Sequence, residues 1–186
     1  MTNGAMVPQT GLKGEGVLIP VVGPDASAKA ELIASAKRTF ANDNGIVFPV
    51  NIEVAEKGRP VANGQMSQPD FKSLAAAGGI AISWIGSSGQ VGLPAVVFDD
   101  LAAGRVVVVN VSRKVVGQLR RQHSRVHVVY LTRSRAARRG VPPGQSEPDS
   151  DLPDPPVTII ENTGPLTEVI DGFFGILQSY VPVPSP

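Results

Sequence analysis

The chain has no cysteine and only two histidines among its 186 residues. The absence of cysteine excludes disulfides, thiolate metal sites and cysteine nucleophiles. His123 and His127 are too few for a histidine-rich metal site, and each is better explained as a surface or partly buried side chain. The sequence therefore predicts no metal site made from its own side chains.

Long apolar runs are also missing. No run reaches the roughly 18 residues that a bilayer crossing needs, and residues 1–13 lack the charged-then-apolar layout of a secretory signal. We therefore expect a cytoplasmic protein with no membrane contact. Hydrophobic residues make up 42% and charged residues 18% of the chain, which is a globular composition. The length suits one domain with small inserted lobes.

Acidic and basic residues are unevenly distributed, and one long stretch lacks acids while another lacks Arg and Lys. Residues 140–186 contain seven acids and no Arg or Lys, whereas residues 101–146 contain ten Arg or Lys and no acid. The basic part would suit an anionic ligand, either a phosphorylated small molecule or nucleic acid. It would equally suit a solvated helix face that the following acidic segment neutralises. Charge alone leaves both interpretations open.

Short valine- and isoleucine-rich strands alternate with amphipathic helices. Strands are predicted at residues 16–22, 46–50, 80–84, 105–111, 126–131 and 157–160. Helices are predicted at residues 30–40, 67–77, 94–103, 113–123 and 163–180. This alternation predicts an α/β fold with a central parallel sheet flanked by helices. In such folds, ligands bind at the carboxyl ends of the strands.

The remaining segments carry turn and loop signals. Residues 51–66 have no clear period and predict a mobile excursion from the core, and residues 86–92 predict a turn. Residues 141–156 contain six prolines and four acids, which predicts a lid or a disordered flap. Residues 1–14 predict a flexible leader and residues 181–186 a loose, proline-rich tail.

Residues 16–33 predict a buried strand that runs through a glycine turn into a helix. A P-loop has a glycine, four variable residues and then Gly-Lys-Ser/Thr, so that backbone N–H groups cradle phosphates and the hydroxyl holds Mg²⁺. Gly23 and Lys29 keep this spacing, but Ala28 replaces the second glycine and Ala30 the hydroxyl residue. The motif alone leaves a nucleotide site and an ordinary strand–turn–helix junction both open.

The two replacements predict a weakened loop. If the turn needs a positive φ, Ala28 costs about 1–2 kcal/mol relative to glycine, and its methyl group would crowd a phosphate. Ala30 removes one direct Mg²⁺ ligand, although Mg²⁺ keeps several waters and can bind substrate oxygens. Asp25 also lies in this loop, where an acid repels phosphates unless it points away. The sequence offers no account of that residue.

Three predicted strand ends carry groups suited to phosphate. They are residues 23–29, 110–113 and 132–135, and in a parallel sheet they would converge on one edge. With these residues placed, the chain resembles the guanylate-kinase-like nucleoside monophosphate kinases, and within them the ribose 1,5-bisphosphate phosphokinases of phosphonate breakdown. The matching stretches occur in family order at residues 18–29, 71–84, 92–94, 106–113, 128–132 and 160–166.

The resemblance implies a P-loop NTPase fold in a single kinase-like domain over residues 15–180. A small acceptor lobe is expected at residues 51–92 and a lid at residues 133–156. The implied reaction moves the γ-phosphoryl group of ATP, with Mg²⁺ as cofactor, onto a phosphate of ribose 1,5-bisphosphate, giving phosphoribosyl diphosphate. The implied partner is therefore a phosphorylated small molecule.

The resemblance also implies roles for individual residues. The donor-phosphate loop would be Gly23, Pro24, Asp25, Ala26, Ser27, Ala28, Lys29 and Ala30. Charge on the transferred group would be stabilised by Lys29 and by the lid arginines Arg133, Arg135, Arg138 and Arg139. The acceptor pocket would be edged by Asn110, Ser112 and Arg113, with Arg59 as a possible substitute for a missing acceptor arginine.

The chain also departs from the family pattern. The family has arginines after the second strand and then a Gly-Glu-Asn-His stretch, where this chain has residues 50–53 and 63–66. The family's His-Gly-Leu is replaced by residues 87–89. One arginine on a transferring phosphoryl group contributes about 10³–10⁵ in rate, so these losses matter. A second hypothesis is therefore a weak or inactive homologue that binds a nucleotide or a protein partner.

Nucleic-acid binding through residues 105–139 is a third hypothesis. That stretch contains a single aromatic residue, Tyr130, within a predicted buried strand rather than on a stacking platform. The sequence therefore disfavours a nucleic-acid partner.

Overall fold

The structure, a computed structural model, describes residues 15–56, 58, 60–62, 64–86, 89–132, 156–161 and 166–181. The predicted leader lies outside the described residues. So do the predicted lid, apart from Pro156, and the predicted tail, apart from Val181.

Five parallel strands form the central sheet. In spatial order they are β2 (Ile46–Val47), β7 (Val106–Asn110), β1 (Val17–Val22), β8 (Val128–Thr132) and β9 (Val157–Glu161). Every pairing among them is parallel. All six residues of β1 and the four valines of β7 are buried, as expected for strands covered on both faces. The predicted central parallel sheet is confirmed.

Helices cover both faces of this sheet. They are α1 (Ala26–Thr39), α3 (Val97–Ala102), α4 (Val116–Gln122) and α5 (Leu166–Gln178), whereas α2 (Gln68–Ala76) packs against a second sheet. Leu18, Val107 and Val109 pack in one apolar cluster with α3 and α4, while the alternate residues Ile19 and Val108 pack in another with α1 and α5. None of the helices within the described ranges is long and apolar enough to cross a membrane.

A second sheet of four strands is built from the segment between β2 and α3. Its strands, in spatial order, are β4 (Gln65–Met66), β3 (Ile52–Val54), β6 (Gly89–Pro94) and β5 (Ile80–Gly86). β3 and β4 are parallel, and the other two pairings are antiparallel. Phe71 of α2 is buried and packs over Gly92, where a Cβ would lie 2.7 Å from the ring. The acceptor-lobe role of residues 51–92 stays a prediction.

Two sequence predictions in this segment are wrong. Residues 51–66 were expected to be an excursion without a clear period but contain β3 and β4. Residues 86–92 were expected to be a turn but contain the last residue of β5 and the first four residues of β6. The strands are two to six residues long, so they show no period. β6 forms because β5 and β3 supply partners on both sides, which overrides the weak strand preference of its glycines.

Several predicted boundaries also move. The helix expected from residue 94 begins at Val97, because Pro94 still pairs with Ile80 in the second sheet. The strand expected over residues 46–50 ends at Val47. The helix expected over residues 113–123 is a 3₁₀ turn, Arg113–Val115, followed by α4. The helix expected from Ala30 begins four residues earlier, at Ala26, with consequences for the site.

Candidate functional site

The carboxyl ends of β7, β1 and β8 meet at one edge of the central sheet. These strands are parallel neighbours, with Val21 opposite Asn110 and Val22 opposite Tyr130. The loop after β1 and the turn after β7 therefore lie side by side, as predicted. The third group predicted for this edge begins at Thr132, the last residue of β8, and its arginines lie outside the described residues.

Gly23 turns the chain out of β1 against the backbone of β8. Its φ is +147°, a conformation that side-chain-bearing residues rarely adopt, and a Cβ would lie 2.2 Å from the carbonyl oxygen of Leu131. Moving a side chain could not make room for the Cβ, because the obstructing atom is a backbone oxygen of a buried strand. Glycine is therefore required at the first position of the predicted phosphate loop.

Asp25 caps the helix that follows. Its backbone is extended, with φ −94° and ψ 103°, and its Oδ1 accepts a hydrogen bond from the N–H of Ala28 at 2.9 Å. Its carbonyl accepts the first helical hydrogen bond, from the N–H of Lys29 at 3.2 Å. Asp is among the preferred N-cap residues for this reason. The acid that sequence reasoning could not explain is thus a helix cap.

The early helix start overturns one expectation about Ala28. It lies in the first turn of α1, and none of the described residues other than glycine has a positive φ. The backbone strain expected for alanine at this position is therefore absent. Ala26, Ser27 and Ala30 are exposed on the same turn, and Pro24 and Lys29 are half-buried.

Residues 23–30 thus lie together in a loop followed by a helix start. The N–H groups of a first helical turn have no acceptor within the helix, which makes such a turn suited to anions. Ala30 brings no hydroxyl group. Across the described ranges, no three acidic or histidine side chains are grouped so that they could hold a metal ion. Mg²⁺ at nucleotide sites is usually bound by waters, phosphate oxygens and one or two carboxylates, so it needs no such group.

The predicted acceptor residues lie after β7, at the same sheet edge. Asn110 ends the strand, and Ser112 caps the following 3₁₀ turn, where its hydroxyl accepts from the N–H of Lys114 at 3.4 Å. Arg113 begins that turn. The structure therefore brings Asn110, Ser112 and Arg113 next to the loop after β1, which the sequence predicts to hold the donor phosphates.

Asn51 is a residue that sequence reasoning did not assign to this edge. It directly precedes β3, and its Nδ2 donates to the carbonyl of Asn110 at 2.6 Å. Since a carbonyl can only accept, the amide must present its NH₂ group there. The Oδ1 atom is buried, and no donor in the described part of the chain reaches it. Asn51 thus joins the second sheet to the edge that carries the site.

The stretch where the family has acceptor arginines is not basic here. Val50 is 67% exposed, Glu53 is exposed and Val54 is buried. Arg59, the possible substitute, lies outside the described residues. The same holds for the predicted lid arginines Arg133, Arg135, Arg138 and Arg139.

No protein-family model matches the chain. The ribose 1,5-bisphosphate phosphokinase PhnN of Rhodopseudomonas palustris is 40% identical over 133 residues, which cover 71% of this chain and 69% of the relative. The protein of the same name from Chelativorans is 30% identical over 183 residues, or 88% and 86% of the two chains. That from Bradyrhizobium diazoefficiens is 36% identical, over 67% of this chain and 63% of the relative.

A solved structure, the guanylate kinase of Anaplasma phagocytophilum, matches the fold with a TM-score of 0.65. It is 17% identical and covers 93% of this chain and 90% of its own. The predicted α/β fold of the P-loop NTPase type is confirmed. The curated relatives carry kinase names, and nothing in the comparisons favours the inactive homologue.

Proposed function

The chain belongs to the family of ribose 1,5-bisphosphate phosphokinases, and we propose that it transfers the γ-phosphoryl group of ATP to ribose 1,5-bisphosphate. An oxygen of the acceptor's phosphate attacks the γ-phosphorus, the bond to the β-phosphate oxygen breaks, and ADP leaves. The product is phosphoribosyl diphosphate. One observation carries the proposal. In a chain of this family, the turn at Gly23 that leads into α1 lies beside the turn after β7.

On the donor side, residues 23–30 hold the phosphates through backbone N–H groups. Lys29 follows these groups in the first turn of α1, where its ammonium is suited to the β- and γ-phosphates. Mg²⁺ neutralises phosphate charge when it is bound with ATP. The resemblance assigns Arg133, Arg135, Arg138 and Arg139 to a lid over residues 133–156, where they stabilise the charge of the transferred group.

On the acceptor side, the resemblance assigns one edge of the pocket to Asn110, Ser112 and Arg113, and the second sheet to the acceptor lobe. Arg113 supplies a cation at this edge, and Arg59 is a further basic group in the segment between β3 and β4. A phosphorylated small molecule is therefore the acceptor. Because ATP is the donor, we place the reaction in the cytoplasm.

The experiment follows ADP release and, by ³¹P NMR, formation of the diphosphate product from ATP, Mg²⁺ and ribose 1,5-bisphosphate. Lys29→Ala is expected to lower kcat/KM by about 100-fold or more, because it removes a charge from the transferring group. Lys37→Ala is the matched control, since Lys37 is exposed in the last turn of the same helix. Absence of acceptor-dependent ADP release by the wild type would overturn the proposal.

A further inference from the structure

We propose that the carboxylate of Asp25 occupies part of the donor-phosphate position and competes with ATP for it. This inference rests on the proposed function, because it concerns the same loop. It assigns Asp25 the role of setting donor affinity, beyond that of capping a helix.

The first argument is hydrogen bonding. In a phosphate-binding loop, the N–H groups between the first glycine and the lysine point at the phosphates. One of these groups, the N–H of Ala28, already donates to Asp25 Oδ1 at 2.9 Å. An amide N–H has a single hydrogen, so it cannot donate fully to the carboxylate and to a phosphate oxygen at once. A phosphate that uses this donor must displace the side chain.

The second argument is charge. The start of a helix carries a partial positive charge of about half an elementary charge, which a single carboxylate already outweighs. Asp25 supplies that carboxylate from within the chain, and the first turn of α1 contains no other acid. A phosphate entering the same loop would lie within a few ångströms of a like charge, which opposes binding. Within residues 23–30, Lys29 is the one cation that offsets this repulsion, and Pro24 and Ala26 add none.

The third argument is that capping does not need the charge. Asn and Ser cap helices about as well as Asp, so either would satisfy the N–H of Ala28 without adding a negative charge. The second sheet's helix shows this alternative, since Ser67 caps α2 and accepts from the N–H of Asp70 at 3.3 Å. The carboxylate at Asp25 is therefore separable from the fold, and its effect on ATP can be measured alone.

The test is calorimetric titration of ATP without Mg²⁺ into the full-length wild type and into Asp25→Asn, which keeps size and cap but removes the charge. Asp25→Asn is expected to bind ATP at least about ten-fold more tightly, equivalent to about 1.4 kcal/mol. Asp25→Ser should show the same direction. Saturating Mg²⁺ should reduce the difference, because it neutralises part of the phosphate charge.

Asp43→Asn is the matched control. Asp43 lies beyond the opposite end of α1 and makes the same kind of bond, accepting from the N–H of Gly45 at 2.8 Å. Its substitution is expected to leave ATP affinity within two-fold of the wild type. Urea unfolding of each variant establishes that a change in ATP affinity does not come from a loss of stability.

The outcomes of these titrations distinguish a failure of the inference from a failure of the kinase proposal. Unchanged or weaker ATP binding by Asp25→Asn overturns the inference while leaving the kinase proposal standing, and a loss seen only with Mg²⁺ identifies Asp25 as a metal ligand instead. Binding by Asp25→Asn but not by the wild type supports the inference and contradicts the kinase proposal for the natural chain. Absence of binding in every variant overturns both.

Discussion

The five-stranded and four-stranded sheets are stabilised in different ways. Every residue of β1 in the first sheet is buried, and helices cover both faces. β5 in the second sheet has one well-buried position, Ile82 at 2% exposure, whereas Ile85 is 78% exposed. An atom added at Gly23, directly after β1, therefore meets fixed backbone, whereas one added at Gly92 in the second sheet meets the ring of Phe71. Replacing a close-packed glycine at each sheet should therefore cause different losses of unfolding free energy.

The largest effect is expected from Gly23→Ala, directly after β1 of the first sheet. The added methyl group would lie 2.2 Å from the carbonyl oxygen of Leu131, in a positive-φ conformation, so we expect a loss of about 4 kcal/mol or more in unfolding free energy. Gly104→Ala is the control, because Gly104 has φ +80° with no atom within 4 Å. It should lose only about 1–2 kcal/mol. Equal losses in urea unfolding would contradict the role given to close packing.

The corresponding change in the second sheet, Gly92→Ala, should be milder. Its methyl group would lie 2.7 Å from the ring of Phe71, which can move only by disturbing Ile80 and its neighbours. We expect a loss of about 1–3 kcal/mol, as for other overpacked sites. Combining Gly92→Ala with Phe71→Leu should recover part of it, as measured by a double-mutant cycle of unfolding free energies. Strict additivity would show that the ring is not the obstacle.

The same contrast explains what the sequence could predict. The four valines of β7 and the apolar run of β1 identify buried strands by composition alone, so the central sheet and the convergence of its carboxyl ends were predictable. β6 contains glycines at positions 89 and 92, and it becomes a strand only because β5 and β3 pair with it. Local patterns do not contain that information.

In the candidate site, too, some residues could be identified from the sequence and others could not. Gly23 and Lys29 were found from their spacing, but the motif gave no sign that Asp25 accepts from Ala28, since capping depends on backbone geometry. An Asp directly before a helical stretch is a common N-cap signal, and it could have indicated this cap.

Asn51 lies in the stretch where the family has acceptor arginines, and the sequence indicated nothing more about it. Its bond to Asn110 joins residues 59 positions apart, which no local pattern predicts.

A smaller effect is expected where the two sheets are joined. Asn51→Ala removes the bond to Asn110 and should lower unfolding free energy by about 1 kcal/mol. If the second sheet is the acceptor lobe, the variant should also raise the KM for ribose 1,5-bisphosphate more than the KM for ATP. Asn42→Ala is the control, since Asn42 is exposed. Equal changes in both KM values would argue against a specific role at the acceptor side.

The smallest expected effect is on the pH dependence of the unfolding free energy, and it comes from a histidine beside the first sheet. His127, 9% exposed just before β8, lies between the hydroxyl groups of Tyr180, 2.5 Å from Nδ1, and Thr158, 2.7 Å from Nε2. Burial lowers the pKa of His127 below its ordinary value of 6.5. Burial also raises the pKa of Tyr180, which the positive charge of Arg125 partly offsets. The folded chain therefore holds His127 neutral at pH values where the unfolded chain is protonated.

The sign of the pH effect follows from this difference. Above about pH 6.5 both states hold His127 neutral and its contribution is constant, whereas below that pH the unfolded state binds more protons. Unfolding free energy should thus fall as pH decreases from 6.5 towards the folded-state pKa. Urea unfolding between pH 8 and pH 5 measures the slope, which should be shallower in His127→Gln than in the wild type. Parallel slopes in the two proteins would place the pH dependence elsewhere, and the buried network would then be a matter of packing alone.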